Sequence, residues 1–108
     1  MNFWSKGVFK VTRRNEQILQ DAIKAYGSDV QTTITIEKMS ELMNSLCKSK
    51  RKLGIVDKSD IAEGIADVYI MLRQLEMIYN NSEDVDSFIQ QKLTRLQMRV
   101  LGKMMARK

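Results

Sequence analysis

A chain of 108 residues with a formal net charge of +5, 44% of it hydrophobic and 29% charged, has the makeup of one folded domain and not of a disordered tail. It contains no histidine, which excludes imidazole catalysis and histidine-based zinc sites. The single cysteine, Cys47, excludes an internal disulfide framework and points to a reducing cytosol, and no apolar run approaches the length of a membrane span.

Proline is absent, glycines number five and aromatics make up 6%, so Leu, Met, Ile, Glu, Gln, Lys and Arg dominate a composition that favours helix. Residues 1–13 lack clear periodicity and read as an N-terminal arm whose Phe3, Trp4, Val8 and Phe9 dock elsewhere; "MNFWSKGVFKV" has too little apolar sequence for a signal peptide. The domain proper is expected over residues 14–108. "RRNEQILQDAIKAYG" places Ile18, Ala22, Ile23 and Tyr26 on one helical face, with Asn15 as candidate cap and Gly27 as the stop.

A second helix is expected from Ser28 or Asp29 to about Lys50, with Met39, Leu42, Met43, Leu46 and Cys47 as its core stripe. Its β-branched run "TTITI" lowers local helix propensity, so the first turns depend on packing. "KSKRKLGIVDK" reads as a connector broken at Gly54. Ser59 or Asp60 opens a third helix with the stripe Ile61, Ile65, Val68, Leu72 and Leu75, widened by Met71 and Ile78. "YNNSED" divides it from a fourth, which carries Val85, Phe88, Ile89, Leu93, Leu96 and Val100 on one side and Lys92, Arg95 and Arg99 on the other. Four amphipathic helices with short links predict an all-α four-helix bundle, and the broad apolar faces predict a homodimer or higher assembly.

Two acid pairs stand out, Glu37 and Glu41 in "IEKMSEL" and Glu63 and Asp67 in "AEGIADV". Residues four apart share a helical stripe, so antiparallel packing of the two helices could bring four carboxylates together, the hard oxygen set that Mg²⁺ prefers. Acids at this spacing more commonly face solvent and pair with Lys or Arg for a few tenths of a kcal/mol. The setting of "IAEGIADVYIML" counts against that plainer reading, because Ile61, Ile65, Ala66 and Val68 leave little exposed surface round its acids.

At these residues the chain resembles the MazG-like all-α nucleotide pyrophosphohydrolases, especially the small single-domain type common in phages and Gram-positive bacteria. "NEQILQDAIKAYGSDVQ", "TIEKMSELMNSLCK", "DIAEGIADVYIMLRQLEMIYN" and "QQKLTRLQMRV" follow in that family's order, over roughly residues 14–101. The resemblance implies a helical bundle, dimeric or tetrameric, that cleaves nucleoside triphosphates to monophosphate and pyrophosphate with Mg²⁺ (or Mn²⁺) held by an EExxE and a later ExxD segment. Carried over, Glu41 and Asp67 match metal ligands, and Lys38 and Gly64 stand where the other two ligands belong. Glu37 matches the first acid of EExxE and Glu63 an acid that often precedes ExxD; these two are the candidate catalytic acids. Lys92 and Arg95 match a KxxR segment that the resemblance assigns to substrate phosphate.

A lysine beside Glu41 repels a divalent ion and can itself neutralise the remaining acids, while Gly64 removes a ligand and loosens the helix by about 1 kcal/mol relative to alanine. The leading expectation is therefore a MazG-like pyrophosphohydrolase impaired at its metal site; the alternative is a non-catalytic relative that binds a nucleotide or a protein. Nucleic-acid binding through Lys48, Lys50, Arg51, Lys52 and the C-terminal tail ranks last, since no aromatic interleaves with those charges. Membrane association is not expected. The methionines read as core or interface filler, and Cys47 as a buried thiol.

Overall fold

The structure, a computed structural model, describes residues 13–51 and 58–107. Residues 1–12 of the expected N-terminal arm and the breaker Gly54 lie outside the described residues, and Arg13, counted with that arm, is the first residue of a helix. Four helices follow in order: α1 (Arg13–Tyr26), α2 (Ser28–Arg51), α3 (Lys58–Tyr79) and α4 (Ser82–Ala106). Among the described residues there is no strand, and no helix is long and apolar enough to cross a membrane.

Each boundary has a local cause. Gly27 takes φ 91°, and its N–H donates to the Ile23 carbonyl at 2.8 Å, closing α1 in the left-handed cap that a residue without Cβ adopts freely. At the end of α3 the same office falls to Asn80, at φ 51°, while the Asn81 N–H reaches the Glu76 carbonyl at 3.2 Å in a Schellman arrangement. Asn15 lies inside α1, not at its cap, and α2 continues to Arg51, so "KSKR" is helix before it is connector.

The β-branched start of α2 is helical against its propensity because it is packed, with Gln31 and Thr35 buried and Gln31 bonded to Gln74 on α3. Thr32, Thr33 and Thr35 each turn the hydroxyl back onto the carbonyl four residues earlier, at 2.8, 3.2 and 2.8 Å, which satisfies side chains that would otherwise compete with the helix.

Packing centres on the α2–α3 hairpin, with α1 resting on both and α4 meeting α3 sparsely. Three cross-helix pairs fix the register: Gln31 opposite Gln74, Lys38 opposite Asp67, and Leu42 opposite Gly64. One number rises as the other falls, so α2 and α3 run antiparallel. The α2 residues on this seam are Gln31, Thr35, Lys38, Leu42, Ser45 and Ser49, all buried or half-buried and nearly all polar. Of the expected core stripe only Leu42 falls on this seam. Met39, Met43, Leu46 and Cys47 are exposed, and Ile36 with them. Buried apolar side chains among the described residues are Leu19 and Met71, against buried Gln31, Thr35, Gln74 and Glu76.

Candidate functional site

The polar seam carries Lys38 and Asp67, two of the positions that the sequence singles out. Lys38, half-buried on α2, sets its Nζ 3.6 Å from Glu41 Oε2, one turn along, and 3.6 Å from Asp67 Oδ2 across on α3. Spacing explains both contacts: Glu41 is three residues on, hence on the adjoining stripe, and Asp67 occupies the α3 position opposite Lys38. One ammonium thus bridges the two carboxylates that the family resemblance marks as metal ligands.

The pair of acids holds Lys38 above its ordinary 10.5, Asp67 contributing most and Glu41 next. A raised lysine stabilises the fold wherever the ammonium is present. That contribution is complete below pH 10.5 and fades only as pH climbs through the raised value. Side-chain exposures of 35% for Lys38 and 66% for Glu41 leave the bridge open to solvent, so its strength is that of a surface pair.

Glu37 and Glu63 do not join this cluster. Both are exposed. Each stands one residue from a seam position (Lys38, Gly64), and one residue turns a side chain by about 100° round the helix axis. Glu63 was expected close to a buried face; it lies instead on the outer side of α3. Among the described residues no three Asp, Glu or Cys side chains are grouped so as to hold a metal ion. As they stand, these residues do not fit a divalent cation. Two carboxylates converge there, and a cation already lies between them.

Gly64 has a packing role besides. A Cβ built there would lie 3.2 Å from Leu42 Cδ1 and 3.7 Å from its Cβ, so α2 and α3 approach closely one turn from Lys38. Leu42 is only half-buried and its terminal methyl can swing aside. Gly64→Ala is therefore expected to raise stability by about 0.5 kcal/mol, the helix gain of about 1 kcal/mol less the cost of displacing Leu42. A denaturant series checks it, and a loss above about 1 kcal/mol would mean that Leu42 cannot move.

Lys92 and Arg95 lie apart from the seam, on the exposed part of α4, and among the described residues no ion pair links them to Lys38, Glu41 or Asp67. With Thr94, Met98 and Arg99 they line an open groove of about 650 Å³. A smaller cleft of about 160 Å³ lies between α1 and α3, against Asn15, Ile18, Leu19 and Ile70.

Sequence reasoning missed the rest of the seam. Gln31 Nε2 donates to Gln74 Oε1 at 2.7 Å, both residues almost wholly buried, and Arg73 Nη1 donates to Glu76 at 3.2 Å. The signal was present in the 4-3-4-3-4 spacing of Gln31, Thr35, Lys38, Leu42, Ser45 and Ser49, which a search for apolar stripes passes over. No family model matches the chain, and neither the curated proteins nor the solved structures include a significant match to it.

Proposed function

We propose that this chain is a nucleotide-binding protein of MazG-like type in which Lys38 takes the place of the divalent ion, so that triphosphate recognition outlasts hydrolysis. The observation that carries this reading is the single ammonium 3.6 Å from both Glu41 and Asp67. Lys38 and a divalent ion compete for the same two oxygens, and the lysine is tethered while the ion must be recruited from solution. What remains for substrate is the cationic face of α4, where Lys92, Arg95 and Arg99 offer charge-assisted hydrogen bonds to phosphate.

The second reading is an active pyrophosphohydrolase. It draws on the convergence of Glu41 and Asp67 and on the openness of the bridge, through which the ammonium could be displaced. The two separate cleanly. Purified wild type is expected to release no pyrophosphate from a panel of ribo- and deoxyribonucleoside triphosphates in MgCl₂ or MnCl₂. Its melting midpoint should not move with metal alone. Lys38→Glu, which turns the bridge into a third carboxylate, should bind Mn²⁺ at least about tenfold more tightly than wild type, read by calorimetry. Steady pyrophosphate release by wild type would instead make it an enzyme.

A homo-oligomer belongs to the same proposal. The chain exposes 8791 Å², whereas a compact monomer of 12.5 kDa is expected to expose about 6,200 Å². The exposed apolar residues of α2 and α4 offer the surface that such an assembly would cover. The chain's radius of gyration of 17.0 Å likewise exceeds the roughly 13 Å of a compact domain this long.

A further inference from the structure

Three of the four residues that line the cleft between α1 and α3 are aliphatic, and the fourth, Asn15, lies in the first turn of α1. Leu19 is buried, but Ile18 and Ile70 keep 55% and 38% of their exposure, so the cleft opens an apolar surface to solvent. The cleft's volume of about 160 Å³ is close to that of an aliphatic cavity of about 150 Å³ that takes up benzene. One phenyl ring fills such a space; an indole is larger.

The chain carries such a ring close by. Two of its three phenylalanines, Phe3 and Phe9, and its sole tryptophan, Trp4, precede Arg13, where α1 begins. From Arg13 to Ile18 the helix rises about 7.5 Å, and an extended chain from Phe9 to Arg13 spans up to about 14 Å. Phe9 can therefore reach the cleft by doubling back along α1. Phe3 can reach it too, but it closes a loop of 15 residues to Ile18 instead of nine, which lowers its effective concentration about twofold. Size excludes Trp4 and tether length favours Phe9.

We infer that the Phe9 ring of the same chain occupies the cleft between α1 and α3, so that the N-terminal arm straps the two helices together. The inference is independent of the nucleotide reading. One ring seated there covers Ile18 and Ile70 together and joins them to the buried Leu19. The occupant is the chain's own arm and not a second copy's, because the tether holds the ring near the cleft at any protein concentration.

The test is solution NMR of the full chain with ¹³C-labelled isoleucine methyls. Phe9 ring protons should show Overhauser contacts to the Ile18 and Ile70 δ1-methyls, and both methyls should resonate upfield of their free-chain positions. Phe9→Ala should remove the contacts and the upfield shifts, and raise the unfolding equilibrium constant at least about tenfold. Phe9→Leu should recover part of that stability, while Phe3→Ala should change it less than about twofold. In an Ile70→Ala background the effect of Phe9→Ala should fall to about threefold or less, since the two changes remove one shared contact. Contacts to these methyls from Phe3 or Trp4 would overturn the assignment to Phe9. Contacts seen only between labelled and unlabelled chains would seat a second copy's arm in the cleft and overturn the strap. An open cleft, with no ring contact and with Phe9→Ala within about twofold of wild type, overturns the proposal entirely.

Discussion

Replacing Arg73 by methionine is expected to destabilise the protein by about 3 kcal/mol, enough to lower the melting midpoint of a domain this size by more than about 10 °C. Arg73 Nη1 lies 3.2 Å from Glu76 Oε1 and 3.5 Å from Oε2, and the two side chains retain only 12% and 7% of their exposure. A carboxylate so far removed from water is tolerable while a guanidinium faces it. Without that partner it must lose its charge, draw in water or move outward, and each route costs free energy. Glu76 is also tied through its backbone, since its carbonyl accepts the Asn81 N–H that closes α3. Outward movement would therefore disturb the α3–α4 turn as well.

The informative control is the double substitution Arg73→Met/Glu76→Leu. Two apolar side chains of similar volume remove the charge and its desolvation together, and most of the lost stability should return. Chemical denaturation of the wild type, Arg73→Met, Glu76→Leu and the double variant gives the full cycle. An Arg73→Met protein within about 0.5 kcal/mol of wild type would mean that Glu76 reaches water in solution.

That pair illustrates which parts of this protein its sequence discloses. The helix ends were legible because single residues mark them: Gly27 needs no Cβ in the left-handed region, and "YNNSED" supplies an asparagine that tolerates it. The role of Lys38 was legible in outline, since a cation one turn from Glu41 has an acid to neutralise. That it also reaches Asp67 required the register of α2 against α3, which no spacing within one helix contains. The seam itself was read one stripe over, with Leu42 alone of the expected residues lying on it. Two stripes of α2 share the 3-4 spacing. One is apolar (Ile36, Met39, Met43, Leu46) and one polar (Gln31, Thr35, Lys38, Leu42, Ser45, Ser49), and the hydrophobic effect argues for burying the first. Within one chain the polar stripe is buried instead, because Gly64 and Gln74 on α3 complement it in shape and hydrogen bonding. Cys47, beside the apolar stripe, is exposed for the same reason.

An apolar stripe left exposed on α2 and another on α4 lead to the remaining large effect: Leu96→Asp/Val100→Asp should convert an oligomer into separated, poorly stable chains. Leu93, Leu96, Val100 and Met104 continue the face of the half-buried Ile89, and Met104 is 61% exposed. Met43, on the apolar face of α2, is 62% exposed. Two buried apolar side chains among the described residues are few for a domain of this size, and a second copy is the occupant that the proposed assembly supplies.

A two-fold axis repeats each substitution on both partners. At about 1.5–3 kcal/mol for each large apolar side chain removed from a seam, four such losses raise a dimer dissociation constant by at least about four orders of magnitude. Wild type should sediment as a dimer or tetramer at micromolar concentration, with a melting midpoint that rises with protein concentration. The double variant should sediment as monomer with a lower midpoint, independent of concentration. Gln91→Asp, on the opposite side of α4, adds a like charge without touching the seam and should leave the assembly intact. A wild-type chain that remains a stable monomer at about 100 µM would place the covering of these faces within the chain itself and remove the interface between copies.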